Sequence, residues 1–447
     1  MPTVQPENVG ATRAVKVPFP KIDRHVLPLL TICYVIAFLD RINIGFAQLQ
    51  MKQSLPFGDT VYATGAGIFF VGYLLFEVPS NLMLERIGAR RTLLRIMVCW
   101  GCVACAMMFV RTPAQFYVLR FLLGVFEAGF FPGVILYLTQ WYPGARRARA
   151  ISIFMIATPL AGVIAGPLSG WIMKFMDGAL DLHGWQWLFL VQGMPAPILG
   201  IVAYFLLADR PEHAKWLSDP EKRALLDLLR RETADRADTA AAGHGALRAL
   251  VRDPGVYTLS FAYALFVGAS YAIGFWMPTL INSWGVGDVF AVGVLAALPA
   301  LAGAVGMVLI GRSSDRRQER RGHFLLAIGF ASLGLLLTLF AEGLLVWSLA
   351  SLAICSIGKS SMTPLFFTMV SEYVPKQAAA GGIALISSLG NVGPAIMPSI
   401  TAWIVAAADS PVPGLLFLVT LYLVAGAIVL RATRSTAAAA AMPSSRS

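Results

Sequence analysis

The sequence predicts an all-α integral membrane protein with twelve transmembrane helices, arranged as six plus six. Two observations indicate this fold class. First, 57% of the 447 residues are hydrophobic and 13% are charged, whereas soluble domains carry about 25% charged residues. Second, the hydrophobic residues are gathered into runs of about 20 residues, which is the length that an α-helix needs to cross a bilayer.

The apolar runs fall on either side of one long polar stretch. We predict spans at 26–47, 61–84, 93–111, 114–139, 148–174 and 187–207, and then at 256–284, 288–311, 323–341, 344–370, 378–407 and 412–431. Several spans contain Pro and Gly, which membrane helices tolerate because neighbouring helices re-satisfy the freed backbone groups. The polar stretch between the halves predicts a linker with an amphipathic surface helix.

Five segments describe the predicted domain organisation. They are a cytoplasmic N-terminal tail at 1–25, an N-terminal six-helix bundle at 26–207, the cytoplasmic linker at 208–255, a C-terminal six-helix bundle at 256–431 and a cytoplasmic C-terminal tail at 432–447. The N-terminal residues lack the apolar core and cleavage site of a secretory signal peptide.

The distribution of Lys and Arg predicts the orientation in the membrane. With the N-terminus in the cytoplasm, 29 of the 35 Lys and Arg residues lie in or beside cytoplasmic segments, and 3 lie in or beside outer loops. This asymmetry follows the positive-inside rule and puts both termini in the cytoplasm. It also accounts for the net charge of +11 without a nucleic-acid partner.

The two halves repeat a motif at the end of their second helix. Residues 81–91 read NLMLERIGARR and residues 311–321 read GRSSDRRQERR. An acid and an adjacent Arg recur at a constant offset of 230 residues, and the positive-inside rule does not require an acid at a fixed place. We therefore interpret the motif as an internal duplication. We predict that a cytoplasmic gate forms from Glu85, Arg86, Arg90, Asp315 and Arg316.

Five charged residues fall deep inside predicted spans. Asp40 and Arg41 lie in the first span, Arg120 and Glu127 in the fourth, and Lys359 in the tenth. A charge at the bilayer centre costs about 2.5–3.5 kcal/mol on insertion scales. The charges in the first and fourth spans sum to zero, so we expect them to pair with each other. They form either a network that only locks the two helices together or a binding and proton site.

Longer stretches of sequence carry a resemblance to a known family. The repeated loops resemble the loop signature of the major facilitator superfamily, although the first copy has Asn81 and Glu85 in place of Gly and Asp. Further stretches of sequence are similar to those of its anion:cation symporter family: YVIAFLDRINIGFA, FEVPSNLMLERIGARR, RFLLGVFEAGFFPGVILYLTQWYP, SDRRQERRGH and GGIALISSLGNVG. The resemblance implies two six-helix bundles around a central cavity. It also implies proton-coupled import, by alternating access, of an organic carboxylate such as a sugar acid, tartrate or phthalate.

The same resemblance implies roles for the buried charges. Arg41 would contact the substrate carboxylate, Asp40 and Glu127 would carry the proton, and Arg120 would couple the two acids. The residue types suit this chemistry, because Arg presents a planar fork that matches a carboxylate and stays charged at any working pH. Removal of a carboxyl group from water favours its neutral form, so a buried acid can load and release a proton.

Further candidates for substrate contact are less tightly constrained. Tyr73 and Asn391 match family positions that hydrogen-bond the substrate, and Tyr271 lies in an aromatic stripe of the seventh span that either contacts the ligand or packs. Lys359 lies outside the stretches that resemble the family. It either binds a second anionic group or extends its ammonium to the membrane surface. Phe38 stands where sugar-acid transporters have Tyr, which favours a less hydroxylated or an aromatic acid.

Other function classes fit the sequence less well. The main alternative is an antiporter of the same fold that exchanges organic anions or organophosphates, but members of that type carry Arg in both the first and seventh spans, and the seventh span here has no charge. An enzyme would need a metal cluster, nucleophile triad or phosphate loop, and Cys99, Cys102 and Cys105 are better explained as small packing residues. We expect no cofactor. The expected partners are protons, an organic carboxylate and the bilayer, and the protein is expected to be a monomer in a bacterial inner membrane.

Overall fold

The computed structural model describes residues 17–341, 344–374 and 379–440. Within these ranges, the description leaves out the side chains of 85, 145, 232–247, 379–380 and 433–440. Most of the two predicted tails and the side chain of the predicted gate acid Glu85 therefore lie outside the described residues.

Up to residue 206, the described chain forms nine α-helices and two short 3₁₀ helices. The α-helices are α1 Phe19–Ser54, α2 Asp59–Ile87, α3 Ala89–Ala106, α4 Pro113–Glu127, α5 Phe130–Thr139, α6 Gly144–Met155, α7 Ala157–Phe175, α8 Gly184–Gly193 and α9 Pro195–Leu206. The 3₁₀ helices are Met107–Phe109 and Ala179–Asp181.

The described linker contains a third 3₁₀ helix, Pro211–His213, and one long α-helix. The linker helix and the helices of the second half are α10 Asp219–Arg252, α11 Pro254–Ser283, α12 Val289–Arg317, α13 Arg321–Leu339, α14 Leu345–Tyr373, α15 Ala379–Gly390, α16 Val392–Ala408 and α17 Pro411–Ala440.

Twelve helical segments of the described chain are long and apolar enough to cross a membrane. Each coincides with one of the twelve predicted spans, so the predicted fold class is confirmed. The first segment starts at Phe19, several residues earlier than predicted. It does so because Pro20 is compatible with the first turn of a helix, and because Ile22 is buried against the bundle.

Four of the spans consist of two helices joined by a break: α4 with α5, α6 with α7, α8 with α9, and α15 with α16. The break in the fourth span follows directly after Glu127. Gly129 there has a φ of 86°, which only Gly adopts without strain. A Cβ at Gly129 would also lie 2.5 Å from the Oγ of Ser80. Glu127 is therefore placed at a fixed helix end in the middle of the membrane segment.

The alternating direction of the spans defines two sides of the protein. Both ends of the described chain and α10 lie on one side, here called the linker side. The connections at 55–58, 176–183 and 284–288 lie on the opposite side, here called the far side.

The linker helix is attached to both halves of the protein. At its start, Lys21 of α1 forms an ion pair of 2.9 Å with Glu221. This hydrogen bond from Lys21 holds the pKa of Glu221 below its usual range. Just after its end, the carboxylate of Asp253 accepts a hydrogen bond of 2.6 Å from the hydroxyl of Tyr373 in the C-terminal bundle.

The two bundles also meet in the half of the membrane segment nearest the far side. Gln48 of α1 donates a hydrogen bond of 3.3 Å to the backbone oxygen of Phe275 in α11. Ser399 of α16 donates one of 3.3 Å to the backbone oxygen of Ala63 in α2. These contacts join the bundles between the centre of the membrane segment and the far side.

A second seam between the bundles is formed by α7 and α12. The backbones of Gly166 and Gly293 approach so closely that a Cβ on either would clash with the carbonyl oxygen of the other. Small residues allow this backbone approach between membrane helices. Nearer the far side, Lys174 forms an ion pair of 3.0 Å with Asp288. This seam therefore depends on Gly at two facing positions.

We expect Gly166→Ala to lower the melting temperature of the purified protein, because the added Cβ must push α7 from α12. Overpacking of this kind costs about 1–3 kcal/mol. Gly162→Ala is the matched control, since a Cβ there, one turn earlier, meets only the Cβ of Ala300 at 3.9 Å. Equal melting temperatures for the two variants would contradict this account of the seam.

Candidate functional site

A buried ion pair joins the first and fourth spans. The Nε atom of Arg41 in α1 lies 2.6 Å from Oε1 of Glu127, the last residue of α4. The Glu127 side chain is 1% exposed and the Arg41 side chain is 11% exposed. These two of the four predicted charges, 86 residues apart in sequence, are in direct contact.

Asp40 is held by neutral donors. The indole Nε1 of Trp100 in α3 donates a hydrogen bond of 2.8 Å to Oδ2 of Asp40, and Nδ2 of Asn43 lies 3.3 Å from Oδ1. Trp100 is fully buried and Asp40 is 4% exposed. Within the described part of the chain, Asp40 makes no ion pair, so its charge does not depend on Arg41.

Arg120 differs from the expectation that it pairs with an acid. Its Nε atom donates a hydrogen bond of 3.1 Å to the backbone oxygen of Gly65 in α2. Its guanidinium carbon lies 5.1 Å from the centre of the Phe69 ring. It interacts electrostatically with Glu127 and Asp40 but forms no ion pair among the residues that the structure describes. Any coupling of the two acids through Arg120 would act through its electric field.

Aromatic rings surround the guanidinium of Arg41. Its central carbon lies 5.4 Å from the ring centre of Phe38, 5.6 Å from that of Phe69 and 5.1 Å from that of Tyr73. Such contacts stabilise a cation that has lost part of its hydration. Arg41 is therefore bound at one edge by Glu127 and otherwise faces rings, an environment that suits a carboxylate on a largely apolar body.

Tyr271 extends this aromatic group into the C-terminal bundle. Its ring in α11 meets the ring of Phe70 in α2 edge to face, with 4.8 Å between the centres. Phe70 in turn meets Phe69 at 5.1 Å. Among the predicted substrate residues, Tyr73 contacts Arg41 directly, and Tyr271 connects to it through two Phe rings.

The other two predicted substrate residues lie in the C-terminal bundle. The Nζ atom of Lys359, halfway along α14, lies 3.7 Å from where a Cβ on Gly274 of α11 would be. Asn391 lies between α15 and α16, and its backbone N–H donates to the carbonyl oxygen of Ser387 at 3.1 Å. The side chains of Lys359 and Asn391 form no hydrogen bond or ion pair with any described residue.

The predicted gate residues make contacts within their own half of the chain. Arg90 donates from its side chain to a backbone oxygen of α9, with 2.7 Å between Nε and that oxygen. Asp315 pairs with Arg320 of the same loop at 2.5 Å. Arg86 and Arg316 are exposed. None of these four described gate side chains is bonded to the opposite bundle.

Two polar groups of the membrane segment were not assigned to the site from the sequence, although Glu77 stands out there as a charge near the inner end of the second span. Trp100 was hidden in a Cys-rich stretch, although a Trp in mid-span needs a partner for its N–H. Glu77 lies one turn from Tyr73 in α2, and its carboxylate is 3.3 Å from the hydroxyl of Ser388 in α15. Helical spacing places Glu77 and Tyr73 on one face of α2. Nothing in the sequence indicates that Glu77 would meet Ser388 of the other bundle.

Comparison with known proteins identifies the family. A model of the Major Facilitator Superfamily matches the chain twice, over residues 30–322 and 286–443. NicT of Pseudomonas putida, named as a candidate metabolite transport protein, is 45% identical over 379 residues, covering 84% of this chain and 85% of that protein. A protein of Agrobacterium vitis, named as a candidate tartrate transporter, is 43% identical over 416 residues, covering 93% and 91%.

A solved structure shares the fold. It is the crystal structure of a bacterial homologue of the human lysosomal transporter Spinster, in an inward-facing and unoccupied conformation. Its TM-score is 0.75 at 17% sequence identity, with 94% of this chain and 98% of that chain covered. At this identity the likeness concerns the fold alone. The family match and the close relatives show that this chain is not an enzyme and belongs to the Major Facilitator Superfamily of membrane transporters.

Proposed function

We propose that the protein is a proton-coupled symporter that imports an organic carboxylate anion by alternating access. The observation that carries this proposal is the buried ion pair of 2.6 Å between Arg41 and Glu127. It supplies a cation that can hold a carboxylate and an acid that can hold a proton, in direct contact. The names of the relatives, a tartrate transporter and a metabolite transport protein, support an organic anion as substrate.

In the proposed mechanism, the substrate and Glu127 exchange places on one cation. While Glu127 is ionised, its carboxylate binds Arg41. A proton on Glu127 removes that charge and weakens the pair, whereas Arg41 stays charged at any working pH. The guanidinium can then bind the substrate carboxylate through its free N–H groups, as Arg–carboxylate pairs commonly do. Loss of the proton restores the original pair and releases the substrate.

The balance of charge makes the two loadings depend on each other. Asp40, Arg41, Arg120 and Glu127 sum to zero when all are ionised. Binding of a proton alone, or of a monovalent anion alone, leaves one net charge in the bundle. On insertion scales, a charge at the bilayer centre costs about 2.5–3.5 kcal/mol. Within these four residues, which leave out Lys359 of the C-terminal bundle, the empty and doubly loaded states are both neutral. We propose that the protein changes between its inward-open and outward-open forms most readily in these two states. Proton and anion must then cross together, which is symport.

Asp40 is proposed as a second proton carrier. It is adjacent to Arg41 in sequence and buried, and the donors that hold it, Trp100 and Asn43, are neutral. It can therefore lose or gain charge without breaking the pair between Arg41 and Glu127. Arg120 is proposed to favour the ionised form of both acids through its field, from its fixed position on the backbone of Gly65.

Alternating access would use the contacts between the bundles. The far-side contacts at Gln48 and Ser399 and the seam at Gly166 would separate when the site opens to the far side. By the positive-inside rule, the linker side is proposed to be cytoplasmic, with both termini there. We further propose that the protein is a monomer in the inner membrane of a bacterium. Its two six-helix bundles are proposed to comprise residues 26–207 and 256–431.

We expect Glu127→Gln to lose proton-driven accumulation of a transported carboxylate and to keep counterflow of that carboxylate. Gln resembles the protonated acid in shape and charge, so exchange can run while net transport cannot. Arg41→Ala should lose both activities, because it removes the cation that holds the substrate. Uptake of radiolabelled carboxylate into proteoliposomes, with and without an imposed pH gradient, measures the two activities.

Asp59→Asn is the matched control for this experiment, since Asp59 is an exposed acid at the far-side end of α2 that pairs with Lys52. It should behave as the unsubstituted protein. Accumulation by Glu127→Gln against a substrate gradient would overturn the proposed proton site. Exchange without any response to pH in the unsubstituted protein would favour the antiporter.

The gate proposal gives a separate prediction. Asp315 and Glu85 are proposed to hold the opposite bundles together when the linker side is closed. Asp315→Asn should therefore favour opening on the linker side and closure on the far side. A reporter cysteine at Ser399, where α16 meets Ala63, should then be labelled more slowly from the far side. Unchanged labelling would contradict a gating role for Asp315.

A further inference from the structure

The half-buried Lys359 in the middle of α14 is not used by the proposed mechanism. It is fourteen residues from either end of α14, which is about 21 Å at the helical rise of 1.5 Å per residue. That distance is too long for its ammonium to reach the membrane surface by extending along the helix. Lys359 therefore keeps its amino group in the middle of the membrane segment.

The surroundings of the Lys359 ammonium leave it without a counter-charge. It forms no hydrogen bond or ion pair with the described residues, and its described electrostatic neighbour is the thiol of Cys355, one turn away. Its Nζ faces Gly274 of α11, 3.7 Å from the position of the missing Cβ. An unpaired cation inside a membrane segment is destabilising unless something else compensates it, and the absence of a side chain at Gly274 leaves room beside it.

The position of Gly274 relates Lys359 to the Arg41 site. Tyr271 lies one turn before Gly274 on the same face of α11. Its ring meets Phe70 of α2 at 4.8 Å, and Phe70 meets Phe69, over which the guanidinium of Arg41 lies. One basic side chain thus belongs to each bundle, and a row of aromatic rings runs from Arg41 to Tyr271, one turn from the Gly274 that Lys359 faces.

We propose that Lys359 and Gly274 form a second anion subsite, so that the substrate is a dicarboxylate with one carboxylate on Arg41 and the other on Lys359. This inference rests on the proposed function, because it uses Arg41 as the first subsite. A dianion would contact both bundles at once and draw them together around the aromatic row. A monocarboxylate would leave Lys359 uncompensated. The subsite therefore both selects the substrate and favours the closed, loaded state.

The experiment compares matched acids that differ by one carboxylate. The probes are phthalate with benzoate, and succinate with butyrate, so that aromatic and aliphatic bodies are tested separately. Affinities are measured by counterflow in proteoliposomes for the unsubstituted protein, Lys359→Met and Lys359→Arg. Met has nearly the volume of Lys without its charge, and Arg keeps the charge.

In at least one pair, the dicarboxylate should bind about tenfold or more tightly than its monocarboxylate, as expected for a charge-assisted hydrogen bond. Lys359→Met should remove this preference by weakening the dicarboxylate alone, and Lys359→Arg should restore part of it. Counterflow of the monocarboxylate by Lys359→Met shows that the variant is folded. Equal losses for both acids, or no preference in either pair, would overturn the subsite.

The outcome separates this inference from the proposed function. Accumulation of a monocarboxylate driven by a pH gradient, with no effect of Lys359→Met on selectivity, would overturn the second subsite and leave proton-coupled transport standing. Loss of pH-driven accumulation for every acid, with a dicarboxylate still preferred through Lys359, would overturn the coupling and keep the subsite.

Discussion

The ion pair between Arg41 and Glu127 is the interaction on which the rest of the site depends. A charge in the middle of a membrane segment is costly without an opposite charge or a hydrogen-bonding partner, and these two residues from different spans neutralise each other. Their contact fixes α1 against α4, and the helix break at Gly129 holds Glu127 at the end of α4. The neighbouring charges use other partners: Asp40 binds Trp100, and Arg120 binds a backbone oxygen.

This separation of partners has a functional consequence. Because Asp40 and Arg120 do not depend on the Arg41–Glu127 pair for their hydrogen bonds, the pair can open and close without disturbing either of them. The aromatic rings around Arg41 keep its charge stabilised while Glu127 is neutral. In the proposed mechanism, the N-terminal bundle thus binds both the proton and the anion, and Lys359 provides a second site for an anionic group in the other bundle.

The fold was predictable because the bilayer limits what a chain of this composition can do. Three features were sufficient to predict six plus six helices: apolar runs of spanning length, one polar linker, and a motif that occurs once around Glu85 and again around Asp315. The charges inside spans also stood out in the sequence. The pairing of the first span with the fourth was expected, and Arg41 and Glu127 confirm it. The partner of Arg120 could not be predicted, because it is the backbone of Gly65, which carries no residue-type signal. Trp100 and Ser388 likewise gain meaning only from helix packing.

Proton uptake on substrate binding tests the central claim most directly. If a carboxylate replaces Glu127 on Arg41, binding should take up protons, since binding and protonation are linked. Calorimetric titration of the purified protein with a transported carboxylate, in buffers of different ionisation enthalpy, measures this uptake. The account predicts net proton uptake by the unsubstituted protein and a smaller uptake by Glu127→Gln. Binding without proton uptake in the unsubstituted protein, across the pH range where transport responds to pH, would contradict it.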